Sequence, residues 1–461
     1  MADAGARAAL EGTSRSVWAL LVSALCASTA TVAIVTALGK LVYDITRSEL
    51  DLGILGLVEF APAALLVLVT GSIADRFERR RVAALAYVAE AIATAVLAAH
   101  VLREPTTVAG IFLLVGVFGI ARAFAAPASR ALPADVVAPE RLPWVIPRFS
   151  GTFQVAVIVG PVLGGFLYTV SPAAPMVAAV VLQLVAAAAV STVRPWRDPA
   201  LGAEPALEAP LLRASAPPSL DAAPGPPPVR AGWRDALEGL RLVRGQPVLL
   251  GAISLDLFAV LFGGAVALLP AIAEDRLGVD AIGLGWLRAA GGFGAALVTL
   301  LLALRPVRRR VGKVLLGVVA LFGIGTVVLG LTTSFAVALV AMAVLSGADA
   351  VSMFIRSTLV PLVTPPEARG RVLAVENIFI GASNQAGDFE SGVAGAVLGA
   401  SGAIVLGGVG TLLVAGAWWV LFPRLRDIDA FPTGPDPGTR RGERARNTPI
   451  PPPSTTGAAA P

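Results

Sequence analysis

Sulfur and imidazole are almost missing from this sequence, which has one cysteine, Cys26, and one histidine, His100, in 461 residues. A lone cysteine excludes an intramolecular disulfide, and one histidine beside it leaves too few soft ligands for a zinc site of the usual kind. Charge is scarce too: 15% of residues are Asp, Glu, Lys or Arg, against about 25% in soluble globular proteins. There is no Gly-x-x-x-x-Gly-Lys-Ser/Thr run to cradle ATP phosphates and no His-Glu-x-x-His pair to hold a catalytic metal. These absences argue against an ATP-driven pump and against a membrane-embedded enzyme. No cofactor is expected.

What fills the chain instead is apolar. Hydrophobic residues make up 56% and the mean hydropathy is +0.79. A hydrocarbon core roughly 30 Å thick needs about 20 apolar residues per helical crossing. Apolar runs bounded by charge or proline fall near 17–43, 52–73, 82–101, 107–125, 145–169, 173–193, 248–271, 281–304, 314–331, 335–357, 372–398 and 403–421. They predict an all-α membrane protein with twelve transmembrane helices and the lipid bilayer as its surroundings. The first run follows Arg7 and Arg15 as a signal peptide would, but its length and the many spans after it make it a retained helix.

Most of the 36 basic residues fall on one side of this arrangement, among them Arg76, Arg79, Arg80, Arg81, Arg130, Arg141, Arg308, Arg309 and Arg310. The asymmetry predicts both termini in the cytoplasm and a multi-pass protein of the cell membrane. The same placement explains the sequence pI of about 10.1 without a nucleic-acid partner, because the arginines sit in short loops rather than on one soluble face.

The expected organisation is a six-helix half at 1–193, a cytoplasmic linker at 194–247, a second six-helix half at 248–421 and a disordered cytoplasmic tail at 422–461. The linker is proline-rich and too polar to pack as a domain. Its last part places Trp233, Leu237 and Leu240 on one helical face and Arg234, Glu238 and Arg241 on the other. That pattern fits a short helix at the membrane surface or a simple continuation into the seventh span. Leu132, Val136, Pro139, Glu140 and Val145 recur as Leu359, Val363, Pro366, Glu367 and Val372. Such a recurrence points to two parallel pseudo-repeats with a site between them.

Two motifs carry a mechanical reading. Between spans two and three stand Gly71, Asp75, Arg76, Arg79 and Arg80: a glycine for close helix approach, a carboxylate for a helix start and arginines to neutralise it. The set has the composition of a conformational latch. In the fifth span Ala156, Gly160 and Gly164 recur every four residues, with Pro161 removing a backbone donor and Gly165 adjoining. This makes a close-packing, bendable face.

The first motif resembles the inter-helix signature of the major facilitator superfamily, a glycine followed four residues later by Asp-Arg and further basic residues. Glu78 stands where the commonest form has a second glycine. The later copy around Arg308 keeps only the basic charge. Gly160, Pro161, Gly164 and Gly165 resemble the antiporter motif of the superfamily's drug/proton exporters, with Ala156 in place of its usual first glycine. The run Ile378 to Gly392 and the segment Ala121 to Pro127 look like the branch of macrolide exporters and enterobactin-exporter-like proteins. The resemblance covers about Val17 to Leu421. It implies the major facilitator fold working as a monomer, with the third helix of each triplet outside the cavity, a small-molecule substrate of drug or siderophore type, and a proton gradient as energy source.

Charges inside apolar spans are costly unless they face a cavity or a partner. The candidates for a proton or substrate pathway are Glu59, Arg122, Asp256, Arg288, Asp349, Arg356, Glu376 and Asp388, with Asn377 and Asn384 sharing a helical face with Asp388. Asp256, Glu59 and Asp388 are the candidate proton carriers; each is equally readable as a permanent structural partner of Arg122, Arg288 or Arg356. The leading expectation is proton-coupled efflux by alternating access. Its rivals are a facilitator or symporter importing a nutrient and, more remotely, a transporter-like sensor or scaffold.

Overall fold

The computed structural model describes residues 2–196, 233–264 and 266–432, and these are helical with short connections. The first half contains α1 (Ala2–Thr46), α2 (Glu49–Arg76), α3 (Arg79–Val101), α4 (Ala109–Val136), α5 (Leu142–Val170) and α6 (Ala174–Thr192). The second contains α7 (Trp233–Gly245), α8 (Pro247–Phe262), α9 (Ala281–Leu304), α10 (Val311–Leu331), α11 (Phe335–Val363) and α12 (Arg369–Leu421). Most of the proline-rich linker and the tail beyond residue 432 lie outside the described residues.

Among the described residues nine helices are long and apolar enough to cross a membrane, ten with α7 and α8 taken together. α12 supplies two crossings. Its 53 residues would extend about 80 Å as one straight helix, more than twice the hydrocarbon thickness. Gly399, at φ 71 and ψ 159, folds it between the two apolar runs; glycine reaches that backbone region without strain. With α2 as a further crossing, the fold is the twelve-helix, two-half arrangement expected.

One element departs from the sequence expectation. The seventh span is not a continuous helix over 248–271: α8 stops at Phe262, and helix resumes at Leu269–Ala271 and ends in a wider turn at Ile272–Arg276. A glycine pair, Gly263 and Gly264, sits at the break. Of the two readings of the linker's last part, a straight continuation of α7 into α8 is not made. The two meet at 106° at Pro247, whose ring cannot continue the preceding turn, so α7 lies across the bundle end, where Glu238 pairs with Arg371 at 3.2 Å.

The halves pack alike. α1 lies against α5 and α6, and α3 against α4 and α6; in the second half α8 lies against α12, and α10 against α11 and α12. Between halves two crossings dominate, α5 with α9 and α2 with α12. Both are glycine contacts. A Cβ on Gly53 would lie 3.0 Å from the Gly392 Cα, and one on Gly165 would lie 3.3 Å from the Gly285 Cα. Without side chains the helices approach to backbone contact, which is how apolar helices associate in lipid.

Candidate functional site

Midway along the second half, α8, α11 and α12 bring four of the sequence candidates together. Arg356 is 3% exposed and its Nη2 lies 2.6 Å from Asp256 Oδ1. Ser352, one turn earlier, lies 3.4 Å from Arg356 Nε. Asp349 and Glu376 also face this guanidinium, and Glu376 faces Asp256 too. Three carboxylates thus share one buried arginine. Among the described residues Asp349 and Glu376 have no hydrogen bond or ion pair of their own, and Glu376 is 7% exposed.

A second cluster spans the halves. Glu59 on α2 accepts a hydrogen bond from Arg122 on α4. Arg288 on α9 faces Asp388 and Glu59, and its Nε is buried with no hydrogen-bond partner among the described residues. Asp388 packs on α2, where a Cβ at Gly56 would meet its Oδ2 at 3.3 Å. Asn377 and Asn384 do not join either cluster: both are exposed, and their amides donate to Leu373 and Ile380 of their own helix at 2.9 and 2.8 Å.

The first half encloses a cavity of about 870 Å³ that runs from Glu59 and Arg122 to the exposed Arg130 at the basic end. It is lined by first-half residues, including Tyr87 and Glu90 of α3. The expectation that third helices stay outside fails here. Seen along the sequence, Glu90 is one charge in a plain apolar span; only its 2% exposure and its place in the cavity wall distinguish it. The sequence reading left it out of the site.

The opposite, far end is shut by a polar network between the halves. Lys40 donates to Asp44 on its own helix and to Glu274 at 2.7 Å across the interface. Arg47 donates to Glu274, Tyr43 to Asp275, and Tyr168 to Asp44 at 2.6 Å. Burial pushes the Glu274 carboxyl up, but the hydrogen bonds from Lys40 and Arg47 outweigh it and hold the group below its ordinary value. A carboxylate held low stabilises closure fully above its ordinary value near 4.5, and that contribution fades as pH falls further. Spin labels on the exposed Thr107 and Thr333, in a Cys26→Ser background, should keep a constant separation between about pH 6 and 8 and move apart only in stronger acid. Separation already at pH 7 would rule Glu274 out as the closing group.

Comparison with family models places residues 20–387 in the Major Facilitator Superfamily. The chain belongs to that superfamily. Among solved structures, a bacterial homologue of the human lysosomal transporter Spinster, inward-facing and unoccupied, is 16% identical with a TM-score of 0.67, covering 92% of this chain and 99% of its own. The nucleoside transporter NupG is 12% identical, with a TM-score of 0.62 and coverages of 88% and 100%. The human organic anion transporter MFSD10 is 17% identical, with a TM-score of 0.57 and coverages of 88% and 99%. Comparison with curated protein sequences gives no match. The superfamily moves small molecules, so this chain is a multi-pass membrane transporter rather than an enzyme.

The described contacts of Arg79 and Arg80, from the first motif, lie inside the first half. Arg79 pairs with Asp135 of α4 at 2.9 Å. Arg80 donates to the Val193 carbonyl beyond α6 at 2.7 Å and pairs with Glu78 at 2.6 Å. Arg76 ends α2 exposed, and the Asp75 side chain lies outside the described residues. The close helix approach expected at Gly71 is not made in this conformation, where a Cβ would meet nothing within 4 Å. In α5, a Cβ on Gly160 would meet Val32 at 2.8 Å and one on Gly164 would meet the Ala33 carbonyl at 2.7 Å, while Gly165 and Pro161 meet α9. The antiporter-like motif therefore sits where α5 touches both α1 and the other half.

Proposed function

We propose that this protein exports a small hydrophobic compound, of drug or siderophore type, across the cell membrane in exchange for protons, with the basic end and both termini in the cytoplasm. The observation that carries the reading is the group of Asp256, Asp349 and Glu376 around the single buried Arg356. One guanidinium cannot balance three carboxylates away from water, where an unbalanced charge is costly. Protons arriving from one side and leaving to the other are the counter-charge such a site accepts.

Geometry supports a rocking cycle as well. The far end is held by Lys40, Arg47 and Glu274 while the first-half cavity reaches the basic end, the form that loads from the cytoplasm. The latch arginines and the antiporter-like glycines then serve the basic-end closure and the α5 crossing, and Glu59, Arg122, Arg288 and Asp388 line the path between the halves.

In inside-out vesicles carrying an imposed proton gradient, a panel of dyes, macrolides and siderophores is expected to show uptake that a protonophore abolishes. Asp256→Asn should cut this uptake at least tenfold while leaving the amount of folded protein unchanged. Flux indifferent to the gradient, or running the other way, would replace export by a facilitator or importer.

A further inference from the structure

α10 begins without a cap of its own. Arg310, the residue before it, takes a left-handed φ of 55 and makes no side-chain hydrogen bond to the first turn. The loop from Arg305 to Lys313 holds five basic residues and no acid. Its counterpart in the first half carries Glu78, which stands at the start of α3 and pairs with Arg80 and Arg81 at 2.6 Å each.

In the second half the acceptors come from a segment 119 residues away. Past α12 the chain makes a short helical turn, Pro423–Arg426, and residues 427–432 cross the basic end. Asp429 Oδ1 accepts from the Arg310 N–H at 3.2 Å, the Asp429 carbonyl from Val311 at 3.3 Å and the Ile428 carbonyl from Gly312 at 3.0 Å. A helix start leaves such N–H groups without partners of its own, so these acceptors do what a local capping residue does elsewhere. The Asp429 carboxylate also lies 3.8 Å from Arg309. Both groups are largely exposed, and an exposed pair contributes little. Capping is the stronger contact.

The same segment reaches two further helices. A Cβ on Gly312 would run into the Leu425 carbonyl, so only glycine lets the segment seat on α10. Leu425 is fully buried, and it packs with Phe422 on Gly251 of α8, where a Cβ would meet them at 3.2 and 2.8 Å. Phe431 meets Phe354 of α11 edge-on, with ring centroids 6.3 Å apart. Phe354 stands two residues before Arg356, and Gly251 five before Asp256. Those steps are about 3 and 7.5 Å along a helix axis, so the segment braces both helices close to the ion pair.

We infer that residues 423–432 are a strap that holds α8, α10 and α11 in register, with Asp429 as a positioning residue for the Arg356–Asp256 pair. The capped turn of α10 seats the strap, and Phe431 fixes α11 where Arg356 meets Asp256. Close-packed side chains transmit a displacement rather than absorb it. The inference goes beyond the export reading and rests on it only for the flux outcome.

The test is a cycle of thermal melts on the purified full-length protein, with hydrogen exchange as its structural check. Gly312→Ala blocks the seat without weakening α10, since alanine is the better helix former. It should speed exchange at the Val311 amide by about tenfold or more, as local opening does, and lower the melting temperature. In an Arg356→Gln background the same substitution should lower it by less than half as much, because the contact that the strap positions is already gone; separate sites would add. Asp429→Ala should repeat this pattern. Asp429→Asn, which keeps an acceptor for the cap, should stay near wild type. Equal melting losses in the two backgrounds, or Val311 exchange unchanged in both Gly312→Ala and Asp429→Ala, would overturn the strap. In vesicles, Gly312→Ala should cut proton-driven uptake by about tenfold or more, as misplacing a working group does, while gradient-free substrate exchange is retained. Loss of both fluxes alike would overturn the positioning role. A wild type whose flux ignores the proton gradient removes the export reading instead, and the melting cycle decides the strap without it.

Discussion

Replacing Arg356 by Gln should lower stability by about 3–5 kcal/mol, the loss found when one member of a buried ion pair is removed and its partner is stranded. Here the partner is not one group. Asp256 loses its 2.6 Å contact, and Asp349 and Glu376 lose the one cation they face among the described residues. The double variant Arg356→Gln with Asp256→Asn removes a positive and a negative charge together, so the part of the loss that belongs to the stranded Asp256 should return. Thermal melts in detergent across the four members of this cycle give the coupling directly. Arg356→Gln as stable as wild type, or a double variant no better than Arg356→Gln alone, would mean that the cluster does not act as a unit. Transport is a separate readout: neither variant should couple flux to protons, because both lack the guanidinium that the carboxylates share and the double variant lacks Asp256 as well.

Gly165→Leu should have the second large effect. Gly165 of α5 faces Gly285 of α9, and a Cβ at Gly285 would itself come within 3.3 Å of the Val162 Cα. A backbone cannot turn aside as a flexible side chain can, so overpacking costs at least the usual 1–3 kcal/mol. The strain is relieved when the halves separate at this crossing. Spin labels at Thr107 and Thr333 should therefore report a longer distance, and export should fall at least tenfold. Gly151→Ala on the same helix is the control, since a Cβ there meets nothing within 4 Å. It should leave both distance and flux as they are. If Gly165→Leu keeps the wild-type distance, the glycine face is ordinary packing with no part in the cycle.

Much of this architecture was legible in the residues. Apolar length locates the crossings because the bilayer sets a fixed distance to span. Even the fold in α12 lies where the apolar runs 372–398 and 403–421 part, at Gly399. The break in the seventh span was less visible, since Gly263 and Gly264 sit in an otherwise apolar stretch and composition alone does not reveal that the helix stops there. The expected closeness at Gly71 depended on which end of the molecule is shut, a property of conformation rather than of the motif.

For the site, the sequence determined which residues are out of place in lipid, because a charge in an apolar run is costly wherever the chain goes. It named Asp256, Asp349, Arg356 and Glu376, but not that three helices bring them round one guanidinium. It passed over Glu90 and the closing network of Lys40, Glu274 and Asp275, the first because one charge in a third helix looked peripheral and the second because those groups lie at helix ends where charge is ordinary. Hydropathy is a local quantity and records how apolar a segment is. Which face of a helix meets a cavity, and which carboxylate meets an arginine 100 residues away, are fixed only when the helices pack. Partner and burial, not residue type alone, set what a charge inside a membrane can do.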